Sequence, residues 1–227
     1  MDIQEILDKW GIKSSELVKQ TVSSMQEFNS CIDIEKEGQP KADKFYRSRG
    51  ATNITRWDWD DTEHGQYMQQ DDIDVTVEFY NIFNILDTTK KSIDISEKFR
   101  TRDFGDHMIE IWSNYQKKNL GSHIKCEADW LEQFVPGGVY EVTNASALRT
   151  LATYARDYFD WDSLFTTLKP QFPSEPMTFI YKGNTYNVKL YKGVSTRGDN
   201  HWNNLCMIVS WDDLAHMGIR SKFYHIS

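Results

Sequence analysis

Gln69–Phe79, QQDDIDVTVEF, and Lys91–Ser113, KSIDISEKFRTRDFGDHMIEIWS, are the stretches from which the fold is read. In the first, Ile73, Val75 and Val77 alternate with Asp72, Asp74 and Thr76. Successive side chains of a strand point to opposite faces, so the apolar set faces a core and Asp74 is held at the sheet surface by a rigid element. In the second, Ile93, Ile95, Glu97 and Phe99 share one parity, while Asp94, Ser96, Lys98 and Arg100 share the other. Between them YNIFNILDTTK is expected to turn around Asp87-Thr88-Thr89. The two strands then pair antiparallel and bring Asp74 close to Lys98 across the ladder. His107–Ser113 reads as a third strand carrying Glu110.

An acid on one strand, followed on the next by an acid and a lysine, suits metal-dependent cleavage of a phosphodiester. Carboxylates hold a hard cation through oxygen, and the cation with a lysine stabilises the crowded phosphate. The order of motifs resembles the PD-(D/E)xK nuclease superfamily, and more closely its phage and bacterial members. The residues carrying the resemblance are Phe45-Tyr46, Gln69/Gln70, Ile73-Asp74, Ile95-Ser96-Glu97-Lys98-Phe99-Arg100, Phe104-Gly105-Asp106 and Ile109-Glu110. The likeness spans residues 40–160.

That resemblance implies a restriction-endonuclease-like α/β (α+β) core, a central mixed sheet flanked by helices. It implies a Mg²⁺- or Mn²⁺-dependent endonuclease acting on nucleic acid, with DNA as the expected partner, and it allows a homodimer. Asp74, Glu97 and Lys98 are the implied catalytic residues, with Asp74, Glu97, Glu110 and Glu63 as metal donors. Arg100, Arg102, Gln70, Lys117 and Lys118 are the implied contacts to nucleic acid. One position departs from the pattern: Ser96 stands where an acid is expected. A hydroxyl is a poorer Mg²⁺ ligand than a carboxylate, so the missing donor falls to Glu97, Asp94 or Glu110. Glu97 lies on the wrong face of an ideal strand and needs a bulge to be re-aimed. The alternative reading is a nuclease scaffold without chemistry, serving as a binding or structural module.

The chain of 227 residues has 39% hydrophobic and 14% aromatic content, enough for a sizeable core. Its formal charge of −8 argues against a broad basic surface that coats nucleic acid, but less against a site whose clustered acids await a cation. No apolar run of about 18 residues is present, so no membrane partner is expected. Cys31, Cys126 and Cys206 form neither a C-x-x-C nor a disulfide framework and fit a reducing cytoplasm. The histidines His64, His107, His123, His201, His216 and His225 show no paired metal-binding spacing and read as structural.

Three regions are expected. Residues 1–40 form an N-terminal helical segment, with helices over Asp2–Asn29 and a loop around Gly38 and Pro40. Residues 41–170 form the nuclease-like core, and residues 171–227 extend it with a hairpin and a strand. Arg47, Arg49 and Arg56, interleaved with Tyr46, Trp57 and Trp59, read either as phosphate and base contacts or as charges neutralised by nearby acids above core aromatics. Cys126–Phe134 reads as a helix, Pro136-Gly137-Gly138 as a turn, Val139–Thr143 as a strand and the stretch from Asn144 as a helix. Met177–Tyr191 reads as a hairpin joined at Gly183-Asn184, and Val194–Asn204 as a polar surface loop, with a cover over a substrate groove as the alternative. Met207–Trp211 is expected to be the last strand, before a short helix from Asp212.

Overall fold

A computed structural model describes residues 34–57, 62–80, 90–197 and 200–226. The helices expected over Asp2–Asn29 and the turn at Asp87-Thr88-Thr89 lie outside the described residues. The architecture is mixed α/β with two sheets and six helices among the described residues.

Helix α1 covers residues 34–48 and runs straight through the expected loop at Gly38 and Pro40. Its apolar residues Ala42, Phe45 and Tyr46 are buried against a sheet, and this packing overrides the local breaker signal. Gly38 permits the approach, since a Cβ there would sit 2.2 Å from the Phe99 ring. Strands β1 (Ala51–Arg56), β2 (Val75–Tyr80) and β3 (Lys90–Phe99) form an antiparallel meander, with helix α2 (Glu63–Gln70) between the first two. Thr62 caps α2 by accepting the Gly65 amide at 3.1 Å. The expected pairing of the first two acid-bearing strands is present: Val75 faces Ile95 and Thr76 faces Asp94.

Strand β4 (Asp106–Asn114) leaves this sheet, and after β5 (Asn119–Leu120) and the single turn α3 (Ser122–Lys125) the chain returns to it. β6 (Trp130–Val135) lies parallel to β3, β7 (Gly138–Val142) antiparallel to β6, and β11 (Ser221–His225) closes the far edge. WLEQFV is thus a strand, not the end of a helix. All its residues after Trp130 are buried, so it lacks the solvated face that an amphipathic helix needs.

Helices α4 (Ala145–Tyr158) and α5 (Trp161–Thr167) lead to the second sheet. There β5, β4, β10 (Asn200–Ser210), β9 (Asn184–Arg197) and β8 (Met177–Tyr181) are antiparallel in that order. Lys182 and Gly183, both with positive φ, make the tight turn before β9. The expected loop over Val194–Asn204 is instead the end of β9 and the start of β10, with Trp202 opposite Ser195 and Asn204 opposite Gly193. Polar side chains at ladder positions hid this hairpin. Helix α6 (Trp211–His216) begins at a Ser210 cap, as its Asp-Asp start suggests. One core lies between α1 and the six-stranded sheet, and the other packs α4 and the second sheet together. No described helix is long and apolar enough to cross a membrane.

Candidate functional site

The face of the six-stranded sheet turned away from α1 carries the site. Asp74 ends the turn after α2, while Ser96 and Lys98 alternate along β3 on the same side. Lys98 Nζ is 3.1 Å from Asp72 Oδ1 and 3.8 Å from Asp74 Oδ2. Ser96 Oγ lies 2.8 Å from Asp72 Oδ2 and 3.4 Å from Asp74 Oδ2. The Glu97 amide donates to Asp74 Oδ2 at 2.6 Å, which fixes that carboxylate. The second carboxylate beside Ser96 is therefore Asp72, which the sequence reading left unassigned. Asp72 adopts φ 56°, a left-handed conformation that costs a non-glycine residue energy and recurs where side chains are held for function.

The other expected donors sit elsewhere. Strand β3 keeps regular register with β6 from Ile95 to Phe99, so no bulge turns Glu97. Its carboxylate lies on the α1 side, where Arg56 Nη1 and the Tyr46 hydroxyl each donate at 2.7 Å. Asp94 accepts from Thr76 Oγ1 at 2.6 Å, one row along from Ser96. Glu110 accepts the Ser122 amide at 2.8 Å, at the start of α3, and lines the same cleft as Asp74 and Lys98. Glu63 is in the exposed first turn of α2, and Gln70 is exposed at its last. Arg100 donates to Asp106 at 2.8 Å and borders the cleft, whereas Arg102 is exposed. Lys117 and Lys118 lie in the exposed turn between β4 and β5, Lys118 paired with Asp162, and neither lines the cleft. Arg49 and Arg56 pair with acids, in line with the neutralised alternative.

The cleft, of about 490 Å³, has a second wall that the sequence reading missed. Gln133 faces Lys98 across the β3–β6 ladder. His123 Nδ1 accepts the Glu110 amide at 3.1 Å, so its proton resides on Nε2 and points to His107 Nε2 at 2.8 Å. His107 Nδ1 then donates to Gln133 Oε1 at 2.8 Å, and Gln133 donates to the Asp106 carbonyl at 3.1 Å. This directional chain ties the two sheets beside the lysine. Burial first, and then neighbouring positive charge, lowers both imidazoles, His123 to about 3. Both are neutral at pH 7. No sequence spacing links His107 to His123, because only the crossing of the two sheets brings them together.

Comparison of the chain with protein-family models, curated proteins and solved structures returned no match.

Burial, opposed by Lys98 and reinforced by Asp72, pushes the Asp74 carboxyl up to about 8. Burial alone would lower Lys98, but Asp72 and Asp74 raise its ammonium above the ordinary lysine range. Lys98 is thus a fixed cation, not a base. A hard divalent cation takes one or two carboxylates and keeps several waters, and Asp72 with Asp74 meets that need. Among the described residues no group of three or more His, Cys, Asp or Glu side chains is arranged to hold an ion. The fit is therefore to a mostly hydrated cation, not to an all-protein cage.

Proposed function

We propose that this chain is a Mg²⁺- or Mn²⁺-dependent nuclease, cutting phosphodiester bonds on a restriction-endonuclease-like core. The observation that carries the reading is the convergence of Asp72, Asp74 and Lys98 around Ser96 on one face of paired strands. Asp72 takes in space the place of the acid that position 96 lacks in sequence. The metal-binding residues are Asp72 and Asp74. When bound there, a divalent cation supplies charge neutralisation at a phosphoryl oxygen and makes water a better nucleophile.

The chain's own groups do the remaining work. Lys98 places a permanent positive charge beside the scissile phosphate and orients the incoming water. The Glu97 amide holds Asp74 in position, so its second oxygen can face the substrate. Arg100, braced by Asp106, borders the cleft and steadies an adjoining phosphate. His107 and His123, being neutral, do not compete with the acids for charge.

The test is cleavage of labelled single- and double-stranded DNA with Mg²⁺ or Mn²⁺, together with calorimetric titration of Mn²⁺. Asp74→Asn and Lys98→Ala should each lower cleavage by about a hundredfold or more, and Asp74→Asn should weaken Mn²⁺ binding. Undiminished cleavage in both variants would remove the cluster from the chemistry. A second reading has its own support: Lys98 and Ser96 already satisfy Asp72 internally, as expected of a scaffold that retains the site's shape without its reaction. Under that reading neither ion produces cleavage, and the Asp74→Asn chain behaves as the parent does.

A further inference from the structure

Strand β10 runs past the wall of the cleft. Asn204 and Cys206 line the cleft, and the unbroken β9–β10 register puts Trp202 on the same face, about 7 Å beyond Asn204. That face is turned away from the core of the second sheet, since Leu205 and Met207, of opposite parity, are buried in that core. Trp202 is partly exposed and belongs to no buried cluster among the described residues. Among those residues its ring meets no other ring and its indole N–H has no hydrogen bond. The neighbours leave it uncovered. Across the ladder stand Ser195 and, diagonally, Gly193, where a Cβ would fall 1.9 Å from Asn204 Oδ1. On the other side β4 pairs with β10 only from Leu205 onward, and Gln116, further along the chain, is bonded to Asn203. A tryptophan ordinarily packs its rings and bonds its N–H, so one that does neither at the mouth of a cleft has its face free for a ligand.

Resting on the phosphodiester reading of the Asp72, Asp74 and Lys98 cluster, we propose that Trp202 stacks an unpaired base of a single-stranded substrate where the strand leaves the cleft. Continuity decides the assignment. Lys98 and Asn204 line one cleft, so a strand with a phosphate at Lys98 passes over Asn204 and reaches the indole on the same face. Glu110, the acid on this wall, does not stand free against it: its carboxylate accepts from the Ser122 amide at 2.8 Å and from Asn204 Nδ2 at 3.4 Å. A paired base is already stacked within its duplex, whereas an unpaired base is free to lie on an aromatic side chain. Single-stranded DNA is therefore favoured over duplex.

The experiment uses the full chain with Ca²⁺ and neither Mg²⁺ nor Mn²⁺, so that binding is read apart from cleavage. A fluorescein-labelled single-stranded oligodeoxynucleotide and an abasic deoxyribose-phosphate chain of the same length are titrated by anisotropy across a salt series. Trp202→Leu should weaken oligodeoxynucleotide binding about tenfold, within the range that one stacked base contributes. Trp202→Phe should recover most of that loss. The log–log salt slope should stay as in wild type, because no phosphate contact is removed. The abasic chain should bind wild type and Trp202→Leu alike. Tyr154→Ala, which removes an exposed ring packed on Phe179 and Tyr181 on the opposite side of the same sheet, should change none of these values. Equal affinity of wild type and Trp202→Leu for the oligodeoxynucleotide would overturn the subsite, as would an equal loss on the abasic chain, a Trp202→Phe chain no better than Trp202→Leu, or a wild type that binds neither probe. If Asp74→Asn cuts as well as wild type while the Trp202→Leu loss persists, the cleavage reading fails and the stacking subsite stands. If Asp74→Asn is inactive while Trp202→Leu binds as wild type does, the subsite fails and the cleavage reading stands.

Discussion

Glu97, Glu132 and Glu141 are register partners on three neighbouring strands, so their side chains form a row on the α1 face of the sheet. Arg56 and Tyr46 satisfy Glu97, and Arg49 pairs with Glu141. Glu132 is left between them: it is fully buried, Arg49 is 3.9 Å away, and among the described residues neither carboxyl oxygen has a hydrogen bond. Burial, with the charges of Glu141 and Glu97 acting against Tyr46 and Arg49, pushes it from 4.5 up to about 8. The folded state therefore holds a proton that the unfolded chain releases. The resulting stability is present in full below pH 4.5 and is lost as pH rises through about 8. At about 1.4 kcal/mol per pH unit, that gap sets a ceiling on the order of 5 kcal/mol above pH 8 and on the order of 3 kcal/mol at pH 7. Glu132→Gln keeps the shape and removes the titration. Urea unfolding of both chains at pH 5 and pH 8 cancels the pH-independent cost of the amide, and Asp74 titrates alike in each. The variant should gain about 3 kcal/mol on wild type between the two pH values. A difference that stays constant with pH, or a variant that loses ground at pH 8, would refute a protonated Glu132.

Three further outcomes follow from the same packing. Arg56→Ala leaves the Glu97 carboxylate buried beside Tyr46 and should cost about 3–5 kcal/mol, but far less in a Glu97→Gln background, a coupling that a double-mutant cycle in urea measures. Gly38→Ala drives a methyl into the Phe99 ring and should cost about 1–3 kcal/mol despite the better helix former, with Phe99→Leu restoring part of the loss in thermal melts. His107 and His123 titrate below the ordinary 6.5, so their stabilisation is present above pH 6.5 and is lost at lower pH, that of His123 as pH falls through about 3. His123→Asn should flatten the fall of Tm between pH 6.5 and 4, and an unchanged acid limb in calorimetry would show that the pair is not held neutral by burial.

Strands β2, which follows Asp74, and β3, which bears Lys98, were legible because one face of each is buried, and period-two alternation then leaves little freedom of register. Asp72 lies in the same quoted stretch but was not assigned a role, because a left-handed turn conformation and not strand parity brings it beside Ser96 and Lys98. WLEQFV was misread because a strand covered on both faces loses its alternation and matches a short buried helix equally well. The β9–β10 hairpin was misread for the opposite reason, since its tip carries polar residues at ladder positions. Gln133, His107 and His123 were beyond reach from sequence. Their contact depends on how β6, β4 and α3 meet in space, and neither hydrophobic period nor local spacing encodes that crossing.

Strand β3 carries two opposed clusters on consecutive residues, Glu97 toward α1 and Lys98 toward the cleft, and one peptide unit joins them. The Glu97 amide holds the Asp74 carboxylate at 2.6 Å, while the Glu97 side chain is gripped from behind by Tyr46 and Arg56. Any motion of β3 that releases Asp74 must therefore also break two charge-assisted hydrogen bonds inside the α1 core. Such bonds, unmade in a buried place, cost more than an exposed pair would. Glu97 thus serves the site by position and not by coordination: its backbone sets one carboxylate and its side chain anchors the strand that presents the lysine. On this account Arg56, remote from the cleft and on the other face of the sheet, governs how firmly Asp74 is held.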